Sequence, residues 1–137
     1  MVRINLIPPK QLTDQHLIAE YNEILMLLGH VKKFPKINNQ PKEYCLGKGH
    51  INFFKDKLLY LKKRHELIKK EMKNRNFKPK ITINLSQFKK ELKHDYTPKQ
   101  KDFKIIKQRL KSKIKQKPNY YKYYGKNLKN SKFKIYE

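Results

Sequence analysis

Residues 1–33 read MVRINLIPPKQLTDQHLIAEYNEILMLLGHVKK, and this stretch decides the fold. Its first part contains two adjacent prolines, which interrupt backbone hydrogen bonding, so we expect residues 2–12 to be extended and tethered. Thr13 or Asp14 can cap the helix that follows. A further proline comes soon after the quoted stretch, so this helix is predicted to run to about Lys33.

The predicted first helix has an apolar stripe with ionisable residues on its flank. At about 100° per residue, the apolar side chains that share one face are Leu17, Tyr21, Ile24 and Leu28. The ionisable side chains that lie within about 60° of one another beside that face are His16, Glu20 and Glu23. Glu20 is equally well explained as a salt-bridge partner of Lys10 or Arg3, and a single histidine is more often structural than catalytic. Glu23 is therefore the candidate catalytic carboxylate.

The rest of the chain predicts further helices joined by irregular links. Residues 35–49 are rich in proline, glycine and asparagine, which is typical of a loop. A second helix is predicted over residues 51–74 from its apolar stripe, and a short one over 86–92. A capping box at 97–100, with proline at the first helical position, starts a third long helix that stops before Pro118.

These elements predict an all-α fold, a single compact domain of three long helices with an extended N-terminal segment and irregular loops. A length of 137 residues suits one domain. We place that domain at residues 1–126 and a basic C-terminal tail at residues 127–137.

The chain carries a large excess of positive charge. Lys plus Arg number 35 and Asp plus Glu number 11, which gives a net charge of +24. Such an excess is self-repulsive unless a polyanion offsets it, and nucleic acid is the polyanion we expect. A basic protein held in a scaffold such as the ribosome is the alternative. A membrane-surface protein is disfavoured, because the lysines are spread over the whole chain and not along one amphipathic face.

Several kinds of site and location are disfavoured. Cys45 is the single cysteine, which leaves no internal disulfide and suits a reducing compartment. The histidines show no ligand spacing with Cys45, so no metal is expected. The longest apolar run, residues 24–28, is too short to span a bilayer, and the N-terminus has no signal-peptide core. We expect a soluble monomer that is cytoplasmic or nucleoid-associated, or an intracellular virus-encoded protein.

The first residues carry a possible nucleophile. If Met1 is removed, the α-amine of Val2 becomes the terminus, and its ordinary pKa of about 7.7–8.0 leaves part of it neutral at physiological pH. A neutral amine beside a carboxylate such as Glu23 is what imine formation on a sugar carbon requires. In a chain built to bind nucleic acid, this combination predicts a DNA repair enzyme.

Tyrosines and lysines alternate near the C-terminus, where residues 119–126 read NYYKYYGK. Aromatic rings can stack on bases, and neighbouring cations can pair with phosphates. Tyrosines of small domains also fill gaps between helices. Both interpretations stay open, since each can hold for different tyrosines.

Three blocks of the sequence resemble a known family. They are residues 1–23, residues 47–58 (GKGHINFFKDKL) and residues 118–126 (PNYYKYYGK). In this order, and over nearly the whole chain, they resemble the pyrimidine-dimer DNA glycosylases, the phage endonuclease V family. The resemblance implies an all-α DNA glycosylase and apurinic/apyrimidinic lyase that acts on double-stranded DNA at UV-induced cyclobutane pyrimidine dimers. It also implies that neither a metal nor an organic cofactor is used.

The resemblance implies roles for individual residues. In the family, the α-amine of residue 2 attacks C1′ of the damaged nucleotide, a glutamate of the first helix stabilises the developing charge, and β-elimination cuts the strand. These roles fall on Val2 and Glu23. The positions that correspond to DNA contacts are Arg3, Gln15, His16, Asn22, Tyr121, Lys122 and Lys126.

The sequence departs from the family pattern at positions that concern phosphate binding. Two first-helix arginines that grip phosphates near the lesion in the family are replaced here by Asn22 and Met26. Each lost contact is worth about one unit of salt dependence. Val2 stands where the phage enzyme has threonine, a change that the chemistry tolerates because the backbone amine is the reacting group.

Two other functions stay open from the sequence. One is a nucleic-acid-binding protein without catalysis, and the other is a glycosylase or lyase for other base lesions or abasic sites. Borohydride trapping separates the non-catalytic protein from the other two, because only an imine is reduced to a stable protein–DNA adduct.

Overall fold

The computed structural model describes residues 3–133 of the chain. In chain order these residues form a 3-10 turn (Pro9–Gln11), helices α1 (Asp14–Lys33), α2 (His50–Phe54) and α3 (Leu58–Asn74), a 3-10 turn (Lys90–Leu92), helix α4 (Gln100–Gln116), strands β1 (Lys122–Tyr123) and β2 (Lys126–Asn127), and a 3-10 turn (Leu128–Asn130). The two strands pair as one small antiparallel hairpin. The predicted all-α fold is confirmed.

Helix α1 begins and ends where the sequence predicts. The Thr13 hydroxyl caps it by accepting the backbone N–H of His16 at 3.1 Å. The predicted apolar stripe is buried, and α1 packs against α3. The N-terminal segment joins the same core, since Ile4, Ile7 and Leu12 are fully buried.

The single helix predicted over residues 51–74 is wrong, because the chain turns between α2 and α3. The Gln40 amide donates to two carbonyl oxygens at the end of α2, at 3.0 and 3.2 Å. Lys57 Nζ donates to one of them, that of Phe53, at 2.8 Å, and the Lys57 backbone bridges to Lys93. Side chains thus satisfy the carbonyls that a continuing helix would use, and the backbone can turn.

For two other helices, the predicted start lies earlier in the chain than the start in the structure. Helix α4 begins after the predicted capping box, because the Asp102 carboxylate accepts the Lys99 backbone N–H at 2.9 Å and caps a later turn. The helix predicted over residues 86–92 is reduced to the 3-10 turn at its end. The reason is local, since the Asn84 side chain accepts the Ser86 backbone N–H at 2.9 Å and bends the chain before a helix can start.

The N-terminal segment and the C-terminal part of the chain each contain a tight turn. The N-terminal segment is extended only in part, because Pro9–Gln11 form a 3-10 turn. In the C-terminal hairpin (residues 122–127), Tyr124 and Gly125 join the strands with φ of 51° and 79°. Two successive left-handed residues are what a two-residue type I′ hairpin turn requires.

Candidate active site

The backbone of Ile4 is held on both sides by buried side chains. Its N–H donates to His50 Nε2 at 3.0 Å, and its carbonyl accepts the Tyr44 hydroxyl at 2.8 Å. Burial raises the pKa of Tyr44, so the hydroxyl keeps its proton and remains a donor. We call this arrangement of Ile4, Tyr44 and His50 the Ile4 clamp.

The clamp requires a neutral imidazole with a defined tautomer. A backbone N–H can only donate, so His50 Nε2 carries no proton and Nδ1 donates to the Cys45 carbonyl at 2.8 Å. Burial, helped by the charges of Arg3 and Arg109, lowers the pKa of His50 to about 4. His50 is therefore neutral at physiological pH and can act as the acceptor for Ile4.

A second anchor holds the same segment three residues later. Arg64 of α3 donates to both carboxylate oxygens of Glu20, at 2.7 and 3.0 Å, and to the Ile7 carbonyl at 2.5 Å. Glu20 is fully buried and Arg64 nearly so. The pairing of Glu20 with Lys10 or Arg3 that the sequence suggested is therefore wrong.

Between the two anchors the backbone takes a strained turn. Leu6 has φ of 62°, in the left-handed region that a branched side chain rarely adopts, and the Ile7 N–H donates to the Asn5 carbonyl at 2.6 Å. Such a conformation costs on the order of 1–3 kcal/mol and persists where the surroundings over-determine it. The anchors on Ile4 and Ile7 supply that constraint.

Arg3, at the start of this segment, is close enough to Glu23 of α1 for its charge to act on the Glu23 carboxyl. Burial raises the pKa of the Glu23 carboxyl, and the charge of Arg3 opposes that rise. Glu23 is partly exposed on the flank of α1, as predicted. Met1 and Val2 lie outside the described residues, so the position of the predicted nucleophile stays a prediction.

His16 extends the site toward α4 and the C-terminal hairpin. Its ring stacks on Tyr121 with centroids 4.6 Å apart and 11° between the planes. Burial, helped by the charges of Arg109 and Lys113, lowers the pKa of His16 to about 4. His16 is thus neutral at physiological pH, and any contact that it makes with DNA would be that of a neutral ring.

The structure thus brings together a partly buried carboxylate, several cations and a stacked histidine beside an N-terminal segment held at two points. The family model described as pyrimidine dimer DNA glycosylase matches residues 1–85 of this chain, more than half of its length. The chain belongs to this family. Members of the pyrimidine dimer DNA glycosylase family are DNA repair enzymes, and their substrate is DNA.

The family match covers the N-terminal part of the site and ends before α4. Within residues 1–85 it includes both anchors and Glu23. Helix α4, which carries Arg109 and Lys113, and Tyr121, which directly precedes the C-terminal hairpin, lie beyond the matched residues. The candidate site therefore includes residues outside the matched part.

The C-terminal hairpin is fastened to α1 and to the end of α3. The Asp14 carboxylate accepts the backbone N–H groups of Tyr124 and Gly125, at 3.1 and 2.8 Å, and pairs with Arg75 at 2.9 Å. The Arg75 guanidinium lies over the rings of Tyr123 and Tyr124, 4.8 and 4.7 Å from their centroids. These two tyrosines are thus used in packing, which is one of the two interpretations that the sequence left open.

The remaining predicted DNA contacts lie at different places around the candidate site. Gln15 Oε1 accepts the Lys122 backbone N–H at 2.8 Å and so links α1 to the hairpin. Asn22, Met26 and Lys126 are exposed, and Met26 is 68 % exposed. The DNA contacts of Gln15, Asn22 and Lys126 stay predictions, whereas Met26 replaces a family arginine and has no predicted contact.

Among residues 3–133, no group of three or more His, Cys, Asp or Glu side chains is placed to hold a metal ion. In the same range, no helix has the length and apolar character needed to cross a membrane.

Sequence reasoning missed the residues that position this site. Tyr44, His50 and Arg64 act on the N-terminal segment from 40, 46 and 57 residues away along the chain. The sequence carries no local signal for such pairs. Arg109 and Lys113 had a weak signal, since both lie beside the apolar stripe of α4, on one side of it.

Proposed function

We propose that this chain is a DNA glycosylase with apurinic/apyrimidinic lyase activity on UV-induced cyclobutane pyrimidine dimers, and that its nucleophile is the α-amine of Val2 after removal of Met1. The observation that carries the proposal is the double anchoring of the N-terminal segment, with Arg3 beside Glu23, in a member of the glycosylase family. Residue 2 is joined to Arg3 by one peptide, about 3.8 Å between Cα atoms.

The proposed chemistry needs only groups of the chain and the DNA. The neutral amine adds to C1′, the bond from C1′ to the base breaks, and the base leaves with the bonding electrons. The nitrogen then loses a proton, O4′ takes up a proton as its bond to C1′ breaks, and the opened sugar carries a protonated imine. This cation accepts electrons as C2′ loses a proton and the bond from C3′ to its phosphate oxygen breaks, which cuts the strand.

Glu23 is proposed to act on the charge that develops at the sugar. A carboxylate in a partly buried place interacts more strongly with a nearby cation than one in bulk water. The raised pKa of Glu23 also suits a group that takes a proton from the attacking amine. Arg3 limits that rise, so the carboxylate remains available as an anion.

Double-stranded DNA with a damaged base is the proposed partner, and the protein is proposed to act as a monomer without a cofactor. The net charge of +24 supports strong, salt-dependent binding to any duplex. Phosphate and base contacts are proposed for the predicted set, which is Arg3, Gln15, His16, Asn22, Tyr121, Lys122 and Lys126.

Borohydride trapping tests the proposal. The full chain is incubated with a duplex that holds one defined cyclobutane dimer and, in parallel, with an abasic duplex, each in the presence of borohydride. Both should give a covalent adduct, and mass mapping should place it on Val2. An intact dimer beside a trapped abasic duplex would reduce the function to that of an abasic-site lyase.

Two variants of the terminus serve as matched controls. Val2→Ala keeps a small second residue and a primary amine, so trapping should persist. Retention of Met1 through a bulky second residue moves the amine by about one residue, near 3.8 Å, which destroys the near-attack geometry and should abolish trapping. An adduct on an internal lysine of a chain with a blocked terminus would contradict the assignment, and absence of any adduct would leave a DNA-binding protein.

A further inference from the structure

Three consecutive residues in the first turn of α1 each hold a different part of the chain at the C-terminal hairpin. In chain order, the contacts are Asp14 with the backbone of Tyr124 and Gly125, Gln15 with the backbone of Lys122, and His16 with the ring of Tyr121. The contacts of Asp14 are charge-assisted, because its carboxylate accepts two backbone N–H groups. The hairpin therefore takes its position from the start of α1.

A hairpin of this size depends on such contacts. Each of its strands has only two residues, and an isolated two-stranded hairpin is marginally stable at best in water. Tyr124, Gly125 and Lys126 at its turn are exposed, so the turn gains little from apolar burial. Polar contacts with α1 and α3 therefore keep the hairpin docked.

Arg75 connects these contacts to the N-terminal segment. Its Nη1 pairs with Asp14 at 2.9 Å, its Nε pairs with Glu71 at 2.8 Å, and its Nη2 donates to the Pro9 carbonyl at 3.2 Å. The Glu71 carboxylate also accepts the Tyr124 hydroxyl at 2.6 Å. One buried guanidinium thus joins the end of α3, the segment before α1 and the hairpin. We call Asp14, Glu71 and Arg75 the hairpin latch.

We propose that Asp14 and Arg75 are positioning residues that set the affinity for a damaged duplex, because they hold the hairpin where it meets DNA. This inference rests on the proposed function, in which Tyr121, Lys122 and Lys126 contact DNA. Both positioning side chains are buried, so they act through the hairpin and not by touching the duplex.

The negative charge of Asp14 gives the inference a distinctive sign. Removing a carboxylate makes the protein more basic, and long-range electrostatics alone would then tighten its binding to DNA. Loss of the latch acts in the opposite direction, because the apparent Kd is the intrinsic Kd divided by the fraction of molecules with a docked hairpin. A variant that is more basic and yet binds more weakly reports docking and not charge.

The test compares Asp14→Asn with Glu91→Gln, since each removes one carboxylate. Glu91 is exposed on the 3-10 turn Lys90–Leu92. Single-turnover excision is measured against protein concentration on a duplex with one cyclobutane dimer. Asp14→Asn should raise the half-saturating concentration about tenfold, as a docked fraction of about one tenth would, and should keep the rate at saturation within about twofold. Glu91→Gln should bind as tightly as the wild type or slightly more tightly.

Further measurements connect the effect to the hairpin. Amide hydrogen exchange at Gly125 should become faster in Asp14→Asn and stay unchanged in Glu91→Gln, because only the first variant loses the acceptor. Asp14→Glu keeps the charge and both acceptor oxygens and should recover part of the affinity. Tyr124→Phe removes only the hydrogen bond to Glu71 and should raise the half-saturating concentration less, which keeps the test decisive if thermal unfolding shows that Asp14→Asn does not fold.

Three results would overturn the inference. They are unchanged or tighter binding in folded Asp14→Asn and Tyr124→Phe, an equal rise in Glu91→Gln, and a lower rate at saturation with an unchanged half-saturating concentration. Failure of the wild-type chain to excise the dimer would overturn the proposed function instead. Binding titrations of the same variants on this duplex would then still decide whether the hairpin latch sets the affinity for DNA.

Discussion

Replacing His50 by Gln should remove a pH-dependent part of the free energy of unfolding. The pKa of His50 is lowered from 6.5 to about 4 in the folded protein. Since one pKa unit is worth 1.36 kcal/mol, the difference corresponds to about 3 kcal/mol in favour of the folded state. The folded protein binds this proton less readily than the unfolded chain does. The stabilisation is therefore complete above the ordinary pKa and is lost as the pH falls toward 4, with about 2 kcal/mol lost between pH 7 and pH 5.

Urea unfolding at these two pH values measures the effect. Gln at position 50 can still accept the Ile4 N–H through its amide oxygen, but it loses the ring contacts with Tyr44 and Phe54. The variant should be less stable than the wild type at pH 7, and the difference should shrink by about 2 kcal/mol at pH 5. His94→Gln, which removes an exposed histidine, is the control for the loss of a histidine as such.

A stability difference that stays constant between the two pH values would refute this reasoning. It would mean that His50 binds a proton as readily in the folded protein as in the unfolded chain. Protonation would then break no buried hydrogen bond, so His50 Nε2 would not be the acceptor of the Ile4 N–H that the Ile4 clamp requires.

Three other substitutions test the site. Tyr44→Phe removes the donor to the Ile4 carbonyl and should cost about 1 kcal/mol in urea unfolding, with slower single-turnover excision and unchanged duplex affinity. Glu23→Gln should abolish excision and keep duplex binding, which fluorescence anisotropy measures. Equal loss of excision and binding would mean that Glu23 supports the fold and not the reaction. Arg64→Met leaves the charge of Glu20 buried without its partner and should lower the free energy of unfolding by about 3–5 kcal/mol. Adding Glu20→Leu should restore most of that stability but not excision. Unfolding curves measure the stability, and a dimer-excision assay measures the activity.

Local rules predicted α1 well because its signals lie within a few residues. A threonine cap, an apolar stripe at helical spacing and a following proline decide where that helix begins and ends. The break between α2 and α3 could not be predicted in this way. It depends on Gln40, which precedes α2, and on Lys93, which pairs with Lys57 from a distant loop.

In the candidate site too, local patterns predicted some residues, and others depend on partners that are distant along the chain. Periodicity placed His16 and Glu23 on one flank of α1, and the structure keeps them there. The same periodicity could not show that Glu20, on that flank too, turns inward to Arg64, because its partner lies 44 residues away along the chain. The Ile4 clamp could not be predicted either, because Tyr44 and His50 lie 40 and 46 residues from Ile4 along the chain.

The buried Glu20–Arg64 pair is better explained by positioning than by stability. Removing two charges from water costs so much that a buried ion pair is often no more stable than apolar residues of similar size. This pair makes one contact that apolar residues could not make, the hydrogen bond from Arg64 to the Ile7 carbonyl beside the strained Leu6. Relaxation of that turn would shift every residue before it, including Arg3. If the nucleophile is the chain terminus, as we propose, the site needs a fixed backbone more than a fixed side chain, and the Arg64 guanidinium supplies that constraint.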